Sequence, residues 1–535
     1  MLQPFIWRAD RHLRTIPPSG DLRPFLFDGQ IHAYGRFRPS AICSGRRAPE
    51  RRNFRAMMKL ALLTPAEMGA ADAAAVARGI PGNRLMEAAG RAVARAAMRR
   101  FRLAPVLILA GPGSNGGDGY VAARLLEQAG WDVAVAPLGA PRAGSDAAEA
   151  AARWRGPLVA FDPARAARAG LVIDAIFGAG LAREVDGAAA AVLRAVRAPL
   201  LAVDMPSGVD GATGQVRGFA PQAALTVTFF RRKPGHLLLP GRGLCGEVVC
   251  ADIGLPAAVL DGIAPRCFAN APGLWHLPTA RVEDHKYRRG HVTVAAGATM
   301  TGAARLAAGA ARRAGAGLVS LMAPDAATAA VLRGGEPGAM VTEEAMAALL
   351  ADARRSVWVV GPGLPPDAAT RALGQSVIAA GRVLVADAAL LTACAGAPEA
   401  LAGAAVITPH AREFAYLFGE PADRLAGARA AAARIGSVVL LKGADTVIAA
   451  PDGRAAINEN APPSLATGGS GDVLAGTIAA LIARGMPSFE AACAGAWMQG
   501  EAARRIGPGL VPEDVIAALP AALRAASEAC FPPGA

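Results

Sequence analysis

The sequence predicts an α/β protein built as two consecutive domains, and three observations carry that prediction. The chain has 535 residues, more than one hydrophobic core usually organises, so two domains of roughly 200 to 270 residues are expected. Strand-length apolar runs alternate with helix-length segments in both halves, the signature of parallel sheets with helical crossovers. Several of those runs end in a glycine-rich turn or an acid, where an open parallel sheet holds its ligands. Ala, Val and Leu dominate the 53% hydrophobic content, with 62 Gly and 40 Pro between elements, which excludes a collagen-like or disordered chain.

The formal charge of +13 is unevenly placed. Residues 1–57 hold eleven Arg against four acids, which leaves a net of +6 for the rest of the chain, ordinary for an enzyme with anionic substrates. No RRM-like, helix-turn-helix or zinc-finger pattern is present, so no nucleic-acid partner is expected. The Arg-rich stretch 1–57 reads as a basic extension, either disordered or an over-early start with Met57 or Met58 as the true one; its acids weaken a targeting-peptide reading. Seven scattered cysteines without a CxxC pair point away from a disulfide framework or zinc site, and no apolar run is long enough to span a bilayer. A cytoplasmic protein with no membrane partner is expected.

From residue 58 the elements follow in order. "TPAEMGAADAAAVARGIPGNRLMEAAGRAVARAAMRR" spaces its apolar residues as two helices broken by "GIPG". "PVLILAGPGSNGGDGYVAARLLEQAGWDVAVAPLG" is a strand, a glycine-rich loop at 111–119, a helix and a second strand. The loop is neither GxGxxG nor a P-loop, but it stands where backbone N–H groups and a helix N-terminus would meet phosphates. "AGLVIDAIFGAGLAREVDG" then puts Asp174 at a strand end, and "APLLAVDMPSGVDGATG" does the same with Asp204, followed by Ser207. Any one of these acids could merely cap the next helix; together with Asn115 and Asp118 they could line one crevice.

"AGPGSNGGDGYVAARLL", "VIDAIFGAGL", "AVDMPSGVDGATG" and "TVTFFRRKPGHLLLPG", in that order, resemble the NAD(P)H-hydrate epimerase domain. The resemblance spans about 60–255 and implies a Rossmann-like, three-layer αβα domain over 58–271 that interconverts the R and S hydrates of NADH and NADPH. It implies that Ser114, Asn115, Gly116, Gly117 and Asp118 bind the hydrate. It gives the same role to Gly178, Ala179, Gly180, Leu181, Ala182, Arg183, Glu184 and Asp204. Asn115, Asp174 and Ser207 would hold a potassium ion (K+). Ser114 departs from the family's usual Asn, though a hydroxyl can still donate and accept. Inversion at C6 needs a proton carrier, for which Asp174 is the expected acid/base.

A loop-like stretch sets a domain border near 272, and strand and helix signals resume at "GHVTVAAGATMTGAARLAAGAARRAGAGLVSLMAP". "SVWVVGPGL" ends in a Gly-Pro-Gly turn, "VLVADAALL" places Asp387 after a strand, and "AVITPHAREFAYLFG" carries His410 and Glu413. In "LATGGSGDVLAGTIAALIARG", Gly468, Gly469 and Gly471 let backbone N–H groups close round an anion at a helix start. Asp472 beside them could take a proton from a hydroxyl attacking phosphorus, and Lys442 in "KGADT" suits nucleotide phosphates. By chemistry alone this is a ribokinase-like kinase.

The ordered set "HKYRRGHVTVAAGATMTGAARLAAGAARRAGAGLVSL", "VGPGL", "TPHAREF", "LLKGADTVI" and "TGGSGDVLAGTIAALIARG" is similar to the NAD(P)H-hydrate dehydratase domain, a ribokinase-fold relative. It covers about 280–520 and implies a ribokinase-like α/β domain over 272–535. Ala303, Gly363, His410 and Asp472 would contact the hydrate. Lys442, Gly443, Ala444, Asp445, Thr446 and Gly471 would contact the adenine nucleotide. The resemblance further implies ADP as co-substrate and magnesium (Mg2+) with its phosphates, with Asp472 catalytic. The expected partners are thus NADHX, NADPHX and ADP, in a homo-oligomer. A small-alcohol kinase such as a thiamine-precursor kinase is the nearest rival, and a dinucleotide-sensing module the non-enzymatic one.

Overall fold

The structure is a computed structural model that describes residues 56–279 and 281–530. The expected basic extension lies outside the described residues up to residue 55. The first domain opens with the two helices the spacing predicts, α1 (Pro65–Ala77) and α2 (Gly82–Arg100). Thr64 starts α1 with a reciprocal cap: its N–H donates to Glu67 Oε2 at 2.8 Å, and Glu67 N–H donates to Thr64 Oγ1 at 3.3 Å.

Six strands follow, β1 (Val106–Ala110), β2 (Val133–Pro137), β3 (Leu171–Ala175), β4 (Leu200–Val203), β5 (Leu225–Phe229) and β6 (Glu247–Ala251). They form one all-parallel sheet in the order 2-1-3-4-5-6. β1, β3, β4 and β5 are buried throughout, as strands covered by helices on both faces must be. The chain winds in opposite directions from β1 and β3, so a crevice opens at their carboxyl ends.

One expectation is corrected at that crevice. Helix α3 (Ser114–Gln128) begins three residues after β1, so most of the expected loop 111–119 is already helix. The glycines serve packing more than looping. A Cβ on Gly116 would overlap the Gly111 carbonyl oxygen, and one on Gly119 would lie 2.7 Å from Ala175 Cβ. Without side chains the helix N-terminus settles directly on the sheet, with its free N–H groups at the crevice.

The second sheet has ten strands: β7 (Cys267–Ala269), β8 (His291–Ala295), β9 (Leu318–Met322), β10 (Met340–Thr342), β11 (Val357–Val360), β12 (Val383–Ala386), β13 (Val406–Ile407), β14 (Val438–Leu441), β15 (Thr446–Ala449) and β16 (Ala455–Asn458). Their order is 10-9-8-11-12-13-14-15-16-7, parallel except where β15 runs antiparallel to β14 and β16. Side-chain alternation splits the core in two. Val357, Val359, Val385 and Leu440 face one cluster, while Trp358, Val360, Leu384 and Leu441 face the other. The first cluster is closed by α4 (Thr301–Arg313), α6 (Ser470–Ala483), α7 (Ser488–Ile506) and α8 (Pro512–Cys530), and the second includes α5 (Ala411–Phe418).

β7 pairs in parallel with β16 although it precedes residue 272. By strand pairing, then, the chain leaves the first sheet after Ala251 and joins the second at Cys267. The loop-like text around this three-residue strand hides it from periodicity. The two sheets are tied by polar contacts. Arg232 makes a two-pronged pair with Glu459 at 2.8 and 2.9 Å, Arg242 donates to the carbonyls of Ala444 and Glu459, and Leu239 N–H donates to Asp445 Oδ2 at 2.9 Å.

Helices α4 and α6 cross so closely that a Cβ on Gly476 would overlap the Ala307 carbonyl oxygen. Gly476→Ala therefore forces backbone apart and is expected to cost about 1–3 kcal/mol, typical of overpacking. A lower urea midpoint at unchanged slope checks it.

Candidate active sites

In the first domain the crevice between β1 and β3 is a cleft of about 610 Å³. Ser114, Asn115, Asp118, Gly178, Ala179, Gly180, Leu181 and Asp204 all line it, so the structure gathers these expected residues from three separate segments. A Cβ on Gly178 would sit 3.0 Å from both Asn115 Oδ1 and Asp204 Oδ2, which shows how closely the segments meet. Gly116 and Gly117 are buried in helix packing, and Ala182, Arg183 and Glu184 lie beyond the lining, with Arg183 stacked over the Phe177 ring at 5.5 Å.

Asp174 and Ser207 are together, but behind the wall. Asp174 is fully buried: Ser207 Oγ donates to its Oδ1 at 2.7 Å, Ser207 N–H to its Oδ2 at 2.8 Å, and Ile176 N–H to Oδ1 at 3.3 Å. Burial outweighs these hydrogen bonds and raises the Asp174 pKa to about 6. The carboxylate does not open into the cleft, so it has no direct path to a ligand for the proton-carrier role expected of Asp174. The oxygen donors of Asn115, Asp174 and Ser207, with no nitrogen or sulfur among them, do fit a hard monovalent cation. Asn115 Nδ2, which has no hydrogen-bond partner among the described residues, leaves that amide free to turn its oxygen to an ion.

Asp204 follows β4 with φ 66°, a left-handed conformation costly for a non-glycine residue. Four contacts hold it there. Oδ1 accepts from Lys233 Nζ at 2.5 Å and Thr228 Oγ1 at 2.9 Å, Oδ2 accepts from Ala179 N–H at 2.9 Å, and its carbonyl meets His236 Nε2 at 2.8 Å. Burial pushes the Asp204 carboxyl up, yet Lys233 and the hydrogen bonds hold it down at about 2. His236, whose Nδ1 accepts from Lys233 N–H, is buried and held down near 4, hence neutral. Lys233 sits in the "RRKPGH" segment, and its signal was a lone lysine just past the apolar run of β5. Asp72 was also missed. It shares one face of α1 with Met68 and Val76, all three lining the cleft, a spacing of four that by itself marks only a helix.

In the second domain the corresponding switch lies between β8 and β11. A Cβ on Gly363 would lie 3.2 Å from Ala303 Cβ, so these two expected residues meet. One turn along α4, Leu306 is 2.7 Å from where a Cβ on Gly469 would stand, which brings the start of α6 to the same rim. Gly469, at φ 89°, makes the left-handed turn into α6.

Gly471 and Asp472 then face a charged cluster. Lys442, at the end of β14, donates to Asp387 Oδ1 at 2.7 Å and lies 3.9 Å from Glu413 Oε2. A Cβ on Gly471 would be 3.3 Å from Lys442 Nζ and 3.5 Å from Asp387 Oδ2, which places the start of α6 against this cluster. Burial works against the Lys442 ammonium, but Asp387 and Glu413 outweigh it and raise its pKa. Burial and Asp387, opposed by Lys442, lift Asp472 to about 6. His410 both caps α5, accepting from Glu413 N–H at 3.1 Å, and stays half exposed.

The rest of "KGADT" is largely engaged. Thr446 Oγ1 donates to Gly443 O at 2.7 Å, Ala444 O accepts from Arg242, and the Asp445 carboxylate takes Leu239 N–H and Arg424. Only Lys442 of the five therefore turns a charged group to the cluster at Gly471, and backbone is what the others have left to offer. Among the described residues no group of three His, Cys, Asp or Glu is arranged to hold a metal ion.

Comparison with known proteins finds two families along the chain. Residues 82–235 match the YjeF-related protein N-terminus, and residues 292–516 match NAD(P)H-hydrate dehydratase. A bifunctional NAD(P)H-hydrate repair enzyme of Pyrobaculum aerophilum is 36% identical over 507 residues, covering 86% of this chain and 98% of its own. Its counterpart from Moorella thermoacetica is 37% identical, covering 86% and 96%. Among solved structures, the ADP/ATP-dependent NAD(P)H-hydrate dehydratase of Bacillus subtilis, co-crystallised with ATP and Mg2+, is 26% identical. It has a TM-score of 0.40, covering 47% of this chain and 94% of that one.

Proposed function

From a chain that belongs to the family of bifunctional NAD(P)H-hydrate repair enzymes, we propose how its two sites divide one repair. The chain is an NAD(P)H-hydrate epimerase and an ADP-dependent dehydratase: it interconverts the R and S hydrates and returns the S form to NAD(P)H. The cleft between β1 and β3 epimerises, and the site at the start of α6 dehydrates. The observation that carries this division is the pair of separate sites, each at the carboxyl ends of its own parallel sheet.

In the epimerase cleft the free N–H groups opening α3 and the Gly178–Leu181 backbone take the dinucleotide's phosphates, which an acid-lined pocket otherwise repels. Asn115, Asp174 and Ser207 would hold potassium, whose charge would offset the buried Asp174 carboxylate. In the dehydratase site Asp472 accepts the proton of the C6 hydroxyl as its oxygen attacks the β-phosphorus of ADP. That bond forms as the bridging P–O bond breaks, giving AMP. The C6–O bond then breaks, the ring nitrogen supplies the electron pair, phosphate leaves, and loss of a C5 proton restores the reduced ring. Lys442 and the N–H groups at Gly471 stabilise the phosphoryl charge. Magnesium would arrive with the phosphates and neutralise part of their charge. A cytoplasmic setting and a homo-oligomer belong to the same proposal.

Purified protein given mixed R and S NADH hydrate and ADP is expected to regain the near-ultraviolet absorbance of NADH completely. Recovery that halts at the S fraction would remove the epimerase assignment. No recovery with ADP or ATP would return the second domain to a small-alcohol kinase.

A further inference from the structure

We infer that Asp72 of α1 is the proton carrier of the epimerisation, acting directly on the C6 hydroxyl of the hydrate. The inference rests on the epimerase reading of the cleft and names a group for the step that Asp174 is too enclosed to perform. Four carboxylates, Asp72, Asp118, Asp146 and Asp204, line the cleft with one ammonium, Lys233. Lys233 is committed to Asp204 at 2.5 Å and to Thr228 at 2.9 Å. Asp118 is 8% exposed and faces the cleft without a hydrogen-bond donor among the described residues, so a ligand completes its surroundings. Asp72, half-buried and likewise without a donor, is reached from the open side by whatever fills the space between α1 and the β1 turn.

The electrostatics then assign protons. Burial lifts Asp72 to about 6, against Lys233 and helped by Asp204. Burial, with the charges of Asp204 and Asp72, carries Asp118 well above the carboxylate range despite Lys233. Asp204 is the ionised member. A carboxyl poised near neutrality can both give and regain a proton, which inversion requires. The Asp72 carboxyl protonates the C6 hydroxyl, the C6–O bond breaks as the ring nitrogen lone pair forms a C=N bond, and water departs. Water then adds to the other face of C6, and its surplus proton returns to Asp72. One water leaves, one enters, and no electron is exchanged with any other reagent.

Asp72→Asn, assayed in the full chain on pure R hydrate, is expected to lower epimerase kcat by about 10²–10⁴-fold. KM should be little changed. In the wild type the rate should fall as pH rises through the Asp72 pKa, with Asp118, Asp146, Asp204 and Lys233 the charged groups that share the cleft with it, and this limb should vanish in the variant. Dehydration of the S hydrate reports that the second domain is folded, and an unchanged urea unfolding profile that the first domain is. Asp72→Ala should regain rate when formic acid is supplied, whereas a merely structural residue would not respond. A variant with wild-type kcat, or one that changes KM alone, beside an active wild type, would overturn Asp72 and leave the epimerase reading standing. A wild type that does not epimerise would remove both.

Discussion

Asp472→Asn is expected to lower dehydratase turnover by about 10²–10⁴-fold, the range for removing a positioned general base. Epimerisation by the same protein should stay at its wild-type rate, because the other cleft lies in the other sheet. The amide keeps the shape and hydrogen-bonding capacity at the start of α6 but cannot accept the hydroxyl proton. Its neighbours supply the discriminating signature. Burial and Asp387 raise Asp472 to about 6, against Lys442. The base form is therefore complete only above that value, and wild-type kcat should fall as pH drops through about 6. An ordinary aspartate would hold its rate to near 4. In Asp472→Asn this limb is absent. Single-turnover mixing of S hydrate with ADP, following AMP and reduced nicotinamide separately, checks it: neither product should form quickly. A variant that made AMP at the wild-type rate would assign the proton transfer elsewhere.

Lys233→Met should carry the largest stability effect in the first domain. Lys233 is 2% exposed, and its Nζ is the cation that compensates the Asp204 carboxylate. Removing one partner of a buried pair leaves an uncompensated charge and costs about 3–5 kcal/mol. Epimerase activity should go with it, since Asp204 keeps its left-handed backbone only while its carboxylate is held. The sign of the pH dependence separates this from simple loss of packing. In the wild type Asp204 is depressed from 3.8 to about 2, so its contribution is present above its ordinary pKa and is lost as pH falls through about 2. Without the ammonium, burial dominates and Asp204 rises above its ordinary value. The variant then becomes less stable as pH rises through that raised pKa, the reverse of the wild type. Urea midpoints across acid to neutral pH measure both slopes.

The sequence by itself determined the α/β class and most of the groups at the two rims, and its resemblance to two known domains implied both repair activities. Apolar runs ending in Asp174, Asp204, Asp387 and Lys442 mark strand ends, and the carboxyl ends of strands in parallel sheets lie at the ligand crevice. Glycine positions were legible as well, but their purpose was not. Gly116 and Gly119 read as loop because a helix that must touch a sheet and a loop that must bend both ask for glycine, and only the nearby Gly111 carbonyl and Ala175 side chain tell them apart. The short strand β7 escaped because three residues carry no period.

Tertiary structure alone decided access and pairing. Asp174 and Asp204 look alike in sequence, each an acid after a buried strand, yet Ser207 seals the first while the second opens into the cleft beside Lys233. Asp72 comes from a helix more than a hundred residues before Asp204, and Lys442 meets Asp387 across 55 residues of chain. Local patterns record the conformational preferences of neighbours along the chain. Proton affinity depends on burial and on charges brought close by the fold, so which carboxylate carries a proton is fixed only when the sheets assemble.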